Sequence, residues 1–128
     1  MKALMPATIR APFARYSHGI EVPPGRGLIA TSGQLGIAPD GHVPEGVEAQ
    51  AALCFGNIEA ILAEAGADRT SVIRLNAFVT DRAHMAGYMT ARDAWLAEVS
   101  PPPASTLMIV TGFTRPEFLV EIEVLAVR

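Results

Sequence analysis

The eight residues Val120-Glu121-Ile122-Glu123-Val124-Leu125-Ala126-Val127 alternate with a period of two. On a strand, that period puts Val120, Ile122, Val124 and Ala126 on one face and Glu121, Glu123, Leu125 and Val127 on the other. The first face is wholly apolar and demands cover. The second mixes two carboxylates with two aliphatic side chains. A strand of this kind suits a sheet covered by helices on one side only.

Two helices are available upstream. Val47, Ala51, Cys54, Ile58, Ile61 and Ala65 recur at spacings of four and three, which predicts a helix over 47–65. Gln50, Asn57 and Glu64 fall on its more polar face, and Gly66 is a natural stop. Cys54 lies in the apolar stripe, as expected of a buried structural thiol rather than a reactive one. Asp81 suits the N-cap of a second helix over 82–99, with Met85, Tyr88, Arg92, Trp95 or Leu96, and Val99 on its inner side. Ser100 and the prolines at 101, 102 and 103 end it.

Between the helices, 71–80 reads as a strand with Ile73, Leu75, Ala77 and Val79 on one face and Arg74, Asn76 and Thr80 on the other. A strand over 104–112 and a turn at Arg115-Pro116 lead into the closing strand. Nearer the start, Pro23-Pro24-Gly25 separates two β-type runs, 16–22 and 27–33, and reads as a hairpin turn. Ala38-Pro39-Asp40-Gly41 is a second turn in a loop that runs to Gly46. The order is β-β-α-β-α-β-β, with room for a short N-terminal strand. It describes a single α+β domain over 1–128, a mixed sheet with two helices on one face.

Two helices cover only one face of such a sheet. The other face carries Leu125 and Val127, joined on this reading by Leu107 and Ile109. Exposing that surface is unfavourable at roughly 25 cal/mol per Å², and large apolar patches mark interfaces. Self-association through the open face is therefore expected, with Glu121 beside residues of a neighbouring copy.

The 128 residues are 50% hydrophobic and 18% charged, with a net charge of −3. This composition argues against disorder, and a mildly acidic chain without a basic run argues against nucleic acid or an anionic membrane as partner. No apolar run is long enough for a bilayer span, and Pro6 and Arg10 interrupt any signal-peptide core. Cys54 has no second cysteine to pair with, and no Cys/His spacing suggests a metal site. The expectation is a cytoplasmic, metal-free protein.

Four motifs carry a resemblance. They are Ala14-Arg15-Tyr16-Ser17-His18-Gly19, Ser32-Gly33-Gln34, Pro103-Ala104-Ser105-Thr106 and the closing Val120–Val127 strand. With the element order and length, they resemble the Rid (YjgF) family of reactive-intermediate deaminases across essentially the whole chain. The resemblance implies a chorismate-mutase-like subunit, a homotrimer, and three clefts between subunits. It also implies hydrolysis of enamines or imines such as aminoacrylate to a keto acid and ammonia, with no metal or organic cofactor.

Imine hydrolysis needs a water delivered to carbon and a proton for nitrogen, and a carboxyl group of raised pKa in a partly desolvated cleft can provide both. Glu121 matches the family's acidic cleft residue; the plain alternative is a solvated or ion-paired glutamate. Glu123 fits a structural role, paired with a basic neighbour. Tyr16 matches the cleft tyrosine, or serves as an amphipathic packing residue. Gly33 matches the glycine whose backbone lines the cleft. At Ser105 deaminase members carry an arginine that grips the substrate carboxylate. A hydroxyl there costs a carboxylate ligand roughly 2–5 kcal/mol.

Ser105 and Thr106 retain the means to bind a smaller polar ligand. Leu107 stands where many members have cysteine, and Met89 where they often have asparagine, so a more apolar pocket and a less anionic small-molecule ligand are expected. Arg15, Arg74 and Arg92 are the candidates to substitute, although surface or interface ion pairs are expected of each. His18, His42 and His84 show no catalytic or metal-binding spacing. The leading function is an enamine/imine deaminase or related hydrolase of altered substrate preference. The alternative is a non-catalytic trimeric module that binds a small metabolite. An endoribonuclease or translation-inhibitor role sits poorly with the acidic balance.

Overall fold

In a computed structural model describing residues 1–128, the last strand of the chain is paired along both of its edges. The elements run β1 (Lys2–Leu4), β2 (Gly19–Glu21), β3 (Leu28–Ala30), β4 (Gln34–Leu35), α1 (Val47–Glu64), β5 (Val72–Val79), α2 (Met85–Trp95), β6 (Ala104–Ile109) and β7 (Val120–Val127). The main sheet has the order β3-β7-β5-β6, and β4 also pairs with β7. β7 is antiparallel to β3, β4 and β5, whereas β6 runs parallel to β5 across the α2 crossover. The sheet is thus mixed, and the α+β expectation holds.

Val120, Ile122, Val124 and Ala126 are buried with Leu75, Ala77 and Val79 beneath the two helices. Cys54, Ile58 and Leu62 of α1 and Tyr88 and Trp95 of α2 supply the covering layer. The opposite face of the sheet carries no helix. There the register aligns Glu121, Phe78 and Met108 in one row and Glu123, Asn76 and Thr106 in the next. No helix is long and apolar enough to cross a membrane.

Several expectations need correction. β2 pairs with β1 and not with β3, so Pro23-Pro24-Gly25 is no hairpin. Its two prolines offer no N–H to a ladder, and Gly27 instead exchanges both backbone bonds with Arg128, which seats β3 on β7. A register shift between Val72 and Arg74 buries Val72 in place of Ile73.

Leu107 and Ile109 align with Ala77 and Val79 and so belong to the helix side. The apolar content of the open face comes instead from Phe78, Met108 and Leu125, while Val127 is itself buried. α2 stops at Trp95, short of Val99. Arg15 donates to the carbonyls of Leu96 and Val99, a cation at a helix C-terminus.

Gln50 is also not on a polar face: it is buried, and its amide is fully used. Nε2 donates to Pro44 O (3.1 Å) and Glu117 O (2.9 Å), and Oε1 accepts from Leu119 N (2.9 Å). This clamp ties the start of α1 to the approach to β7. Gly36 lies so close that an added Cβ would be 2.7 Å from the Gln50 Cα.

Replacing Gln50 with leucine leaves three backbone groups without partners, and a loss of about 2–4 kcal/mol in urea unfolding is expected. An unchanged midpoint would mean that the clamp contributes nothing net.

Candidate functional site

The seven residues singled out in the sequence fall into two groups on opposite faces of the sheet. On the helix side, Tyr16, Met89, Ser105 and Leu107 line one cavity of about 330 Å³, together with Phe13, Ala14, Met85 and Arg92. Ser105 and Leu107 reach it because they share a face with Leu75 and Ala77 of β5. Met85, Met89 and Arg92 come from successive turns of α2.

The N-terminal segment closes the remaining side of this cavity. Ser17 bridges to Ala104, and its backbone N–H donates to Pro103 O at 3.1 Å. Tyr16 is thereby held beside the start of β6, where its hydroxyl accepts from Phe13 N at 3.4 Å and its ring meets His18 edge to face.

On the open side, Glu121 and Gly33 are in contact. A Cβ built on Gly33 would lie 2.2 Å from Glu121 Oε1 and 2.9 Å from its Cγ. The carboxylate therefore occupies the space that a side chain at position 33 would fill, a close approach that needs glycine. The pairing along β7 positions it: β4 begins at Gln34, opposite Ile122, and Thr31 accepts and donates at Val124. Glu121 sits half-buried in a row with Phe78 and Met108.

Thr106 also faces the open side, where Arg74 Nη2 donates to its hydroxyl at 2.8 Å. Asn76 donates to Glu123 at 3.1 Å, so a neutral amide stands where a basic partner was expected.

The three arginines have separate fates. Arg15 holds helix-end carbonyls, and Arg74 holds Thr106. Arg92 forms the expected ion pair, with Asp93, but not at the surface: its own side chain is only 5% exposed and it lines the cavity beside Ser105. Its place on the inner stripe of α2 was readable from spacing, but its use of the cavity was not.

Cys54 lies outside both groups. Burial pushes its thiol up to about 12, and the negative charge of Glu121 adds to the effect. Tyr88 is wholly buried among Phe55, Arg92 and Ser105, and its hydroxyl makes no hydrogen bond of good geometry; burial raises its pKa as well. No three His, Cys, Asp or Glu side chains converge on a common point as metal ligands.

Because Cys54 stays protonated and enclosed, iodoacetamide at mildly alkaline pH should label it only after denaturation. Rapid stoichiometric labelling of the native protein would contradict the buried position.

Comparison with known proteins bears on the family and the fold. Residues 8–128 match the family described as Endoribonuclease L-PSP. A RutC family protein of Aquifex aeolicus is 32% identical over 118 residues, covering 91% of each chain. The putative reactive intermediate deaminase TdcF of Escherichia coli is 35% identical over 77 residues, or 58% of this chain and 57% of that one. Among solved structures, the Rid-family protein YyfB from Yersinia pestis superposes with a TM-score of 0.83 at 26% identity, covering 98% of this chain and 96% of the other. Escherichia coli TdcF with bound serine gives 0.74 at 26% identity over 100% and 99%. With the family matched over nearly its whole length, this chain belongs to the Endoribonuclease L-PSP family, the Rid (YjgF) group to which its motifs pointed.

Proposed function

We propose that this protein is a deaminase of the Rid type, hydrolysing an enamine or imine to a carbonyl compound and ammonia at a cleft shared between subunits. The observation that carries the proposal is the Glu121 carboxylate seated on Gly33 on the helix-free face of the sheet. The name of TdcF, a putative reactive intermediate deaminase, supports the same reaction class.

One subunit holds the two halves of such a site apart, because a β-strand cannot turn Glu121 toward Ser105 without changing face. Two neighbouring copies overcome this. The open face of one, with Glu121 and Gly33, would meet the cavity of the next, with Tyr16, Met89, Ser105 and Leu107. A ring of three copies gives three equivalent clefts, consistent with the apolar Phe78, Met108 and Leu125 on the open face.

In the reaction, the Glu121 carboxylate accepts a proton from water as the water oxygen bonds to the imine carbon. The carbon–nitrogen π electrons move to nitrogen, which takes up a proton. The carbinolamine hydroxyl then loses its proton as nitrogen gains one, relayed through Glu121, and the carbon–nitrogen bond breaks to release ammonia and leave the carbonyl. An enamine enters by proton addition at its β carbon. The Tyr16 hydroxyl is in position to hydrogen-bond ligand or water, and Thr106 stays occupied with Arg74. Ser105 presents a hydroxyl to the cavity in place of a guanidinium, which alters substrate preference.

The test generates imines from a panel of amino acids in situ and follows carbonyl release. Glu121→Gln should slow the reaction by at least about 100-fold. Gly33→Ala should slow it by at least about 10-fold while costing about 1 kcal/mol or less in stability, since the half-buried carboxylate can swing aside but loses its place. Saturable ligand binding with no turnover across the panel would instead indicate a binding module, and RNA cleavage that survives Glu121→Gln would point to a nuclease.

A further inference from the structure

We infer that Arg92, on helix α2, is the anion-recognition residue of the cavity beside Ser105, and that the ligand it selects is a small monocarboxylate with an apolar side chain. The inference rests on the imine-hydrolase reading for the reaction, but its geometry stands on its own.

The Arg92 guanidinium is almost completely buried yet poorly compensated. Nε (2.9 Å) and Nη2 (2.8 Å) both donate to one oxygen, Asp93 Oδ1, and Nη1 donates to no protein acceptor. Asp93 is 48% exposed, so its charge is shared with solvent. A buried guanidinium with an unused donor edge is costly unless a further acceptor arrives. The nearby groups fit such an acceptor: the Ser105 hydroxyl lies in the same cavity, and the buried Tyr88 hydroxyl, within reach of Ser105 and Arg92, makes no hydrogen bond of good geometry to either. One planar donor edge flanked by two hydroxyls suits a carboxylate.

Charge and size narrow the class. Arg92 and Asp93 together are neutral, so a monoanion is tolerated where a phosphate dianion would leave two uncompensated charges. Apart from Tyr16, the rest of the cavity wall is Phe13, Ala14, Met85, Met89 and Leu107, and a volume of about 330 Å³ takes a side chain larger than a vinyl group. The thioethers adapt to aliphatic shapes. The absence of a guanidinium from β6 therefore moves the anion site onto α2 rather than removing it, which revises the expectation of a less anionic ligand.

The experiment titrates the assembled protein calorimetrically with the keto acid of leucine and with its neutral amide, a comparison that does not depend on turnover. Wild type should favour the acid by at least about thirty-fold. Arg92→Met, checked for unchanged assembly and circular dichroism, should abolish that preference, and Arg92→Lys should keep part of it. Asp93→Asn removes the competing negative charge at an exposed position, leaving only a neutral amide acceptor, and should tighten acid binding by about three-fold or more.

A wild type indifferent to the charge, or a folded Arg92→Met that keeps the preference, overturns the inference. If Arg92→Met fails to fold, Asp93→Asn decides, and acid binding no tighter than wild type overturns it. Acid preference that depends on Arg92 in a protein hydrolysing no imine would uphold the anion site and sink the hydrolase reading. Hydrolysis indifferent to Arg92 would do the reverse.

Discussion

A strand hydrogen-bonded along both edges, with two unlike faces, constrains the rest of this subunit. β7 pairs with β3 and β4 on one side and β5 on the other, so its register is specified twice. A slip by one residue would drive Glu121 and Glu123 under the helices and lift Val120, Ile122, Val124 and Ala126 out of the core. Burying two unpaired carboxylates is prohibitive, so alternatives of this kind are absent from the folded ensemble. The same register holds Glu121 over Gly33, so packing and chemistry depend on one alignment.

The sheet separates the functional groups as firmly as it positions them. The carboxylate belongs to the bare face, while the hydroxyls, thioethers and guanidinium belong to the layer between β6 and α2. An isolated subunit thus holds two incomplete halves of the chemistry proposed for it. If the halves meet between copies as proposed, Phe78 and Met108, which lie in the row of Glu121 on the bare face, would also set how closely they approach.

Much of the fold was legible because it rests on strong periodic patterns: period two in 120–127, and alternating spacings of four and three in 47–65. What was missed depends on partners that spacing does not encode. A proline turn between two β-type runs reads as a hairpin whether the runs pair with each other or, as here, with β1 and β7. Gln50 looks like a surface residue because a fully hydrogen-bonded amide leaves no trace in hydropathy.

The run Ala104–Ile109 hardly alternates, so only its pairing with β5 decides that Leu107 faces the helices. The bulge at 72–74 displaced Ile73 in the same way. For the candidate site, the motifs pointed to Glu121, Gly33, Tyr16 and Ser105, but their division between two faces required the sheet. The buried setting of Arg92 required α2 to be docked.

The strand at the middle of the sheet comes after every other element of the fold in chain order. Until residues 120–127 leave the ribosome, β3 and β4 lack the neighbour they pair with, β5 has only the parallel β6, and the Gln50 amide faces carbonyl and N–H partners that have not yet arrived. Nascent chains of this topology therefore carry uncovered apolar helix faces and open strand edges until β7 has emerged, and the sheet completes only then. Cutting the chain within residues 120–127 would be far more damaging than the late place of this strand suggests, because it removes the centre of the sheet rather than its margin.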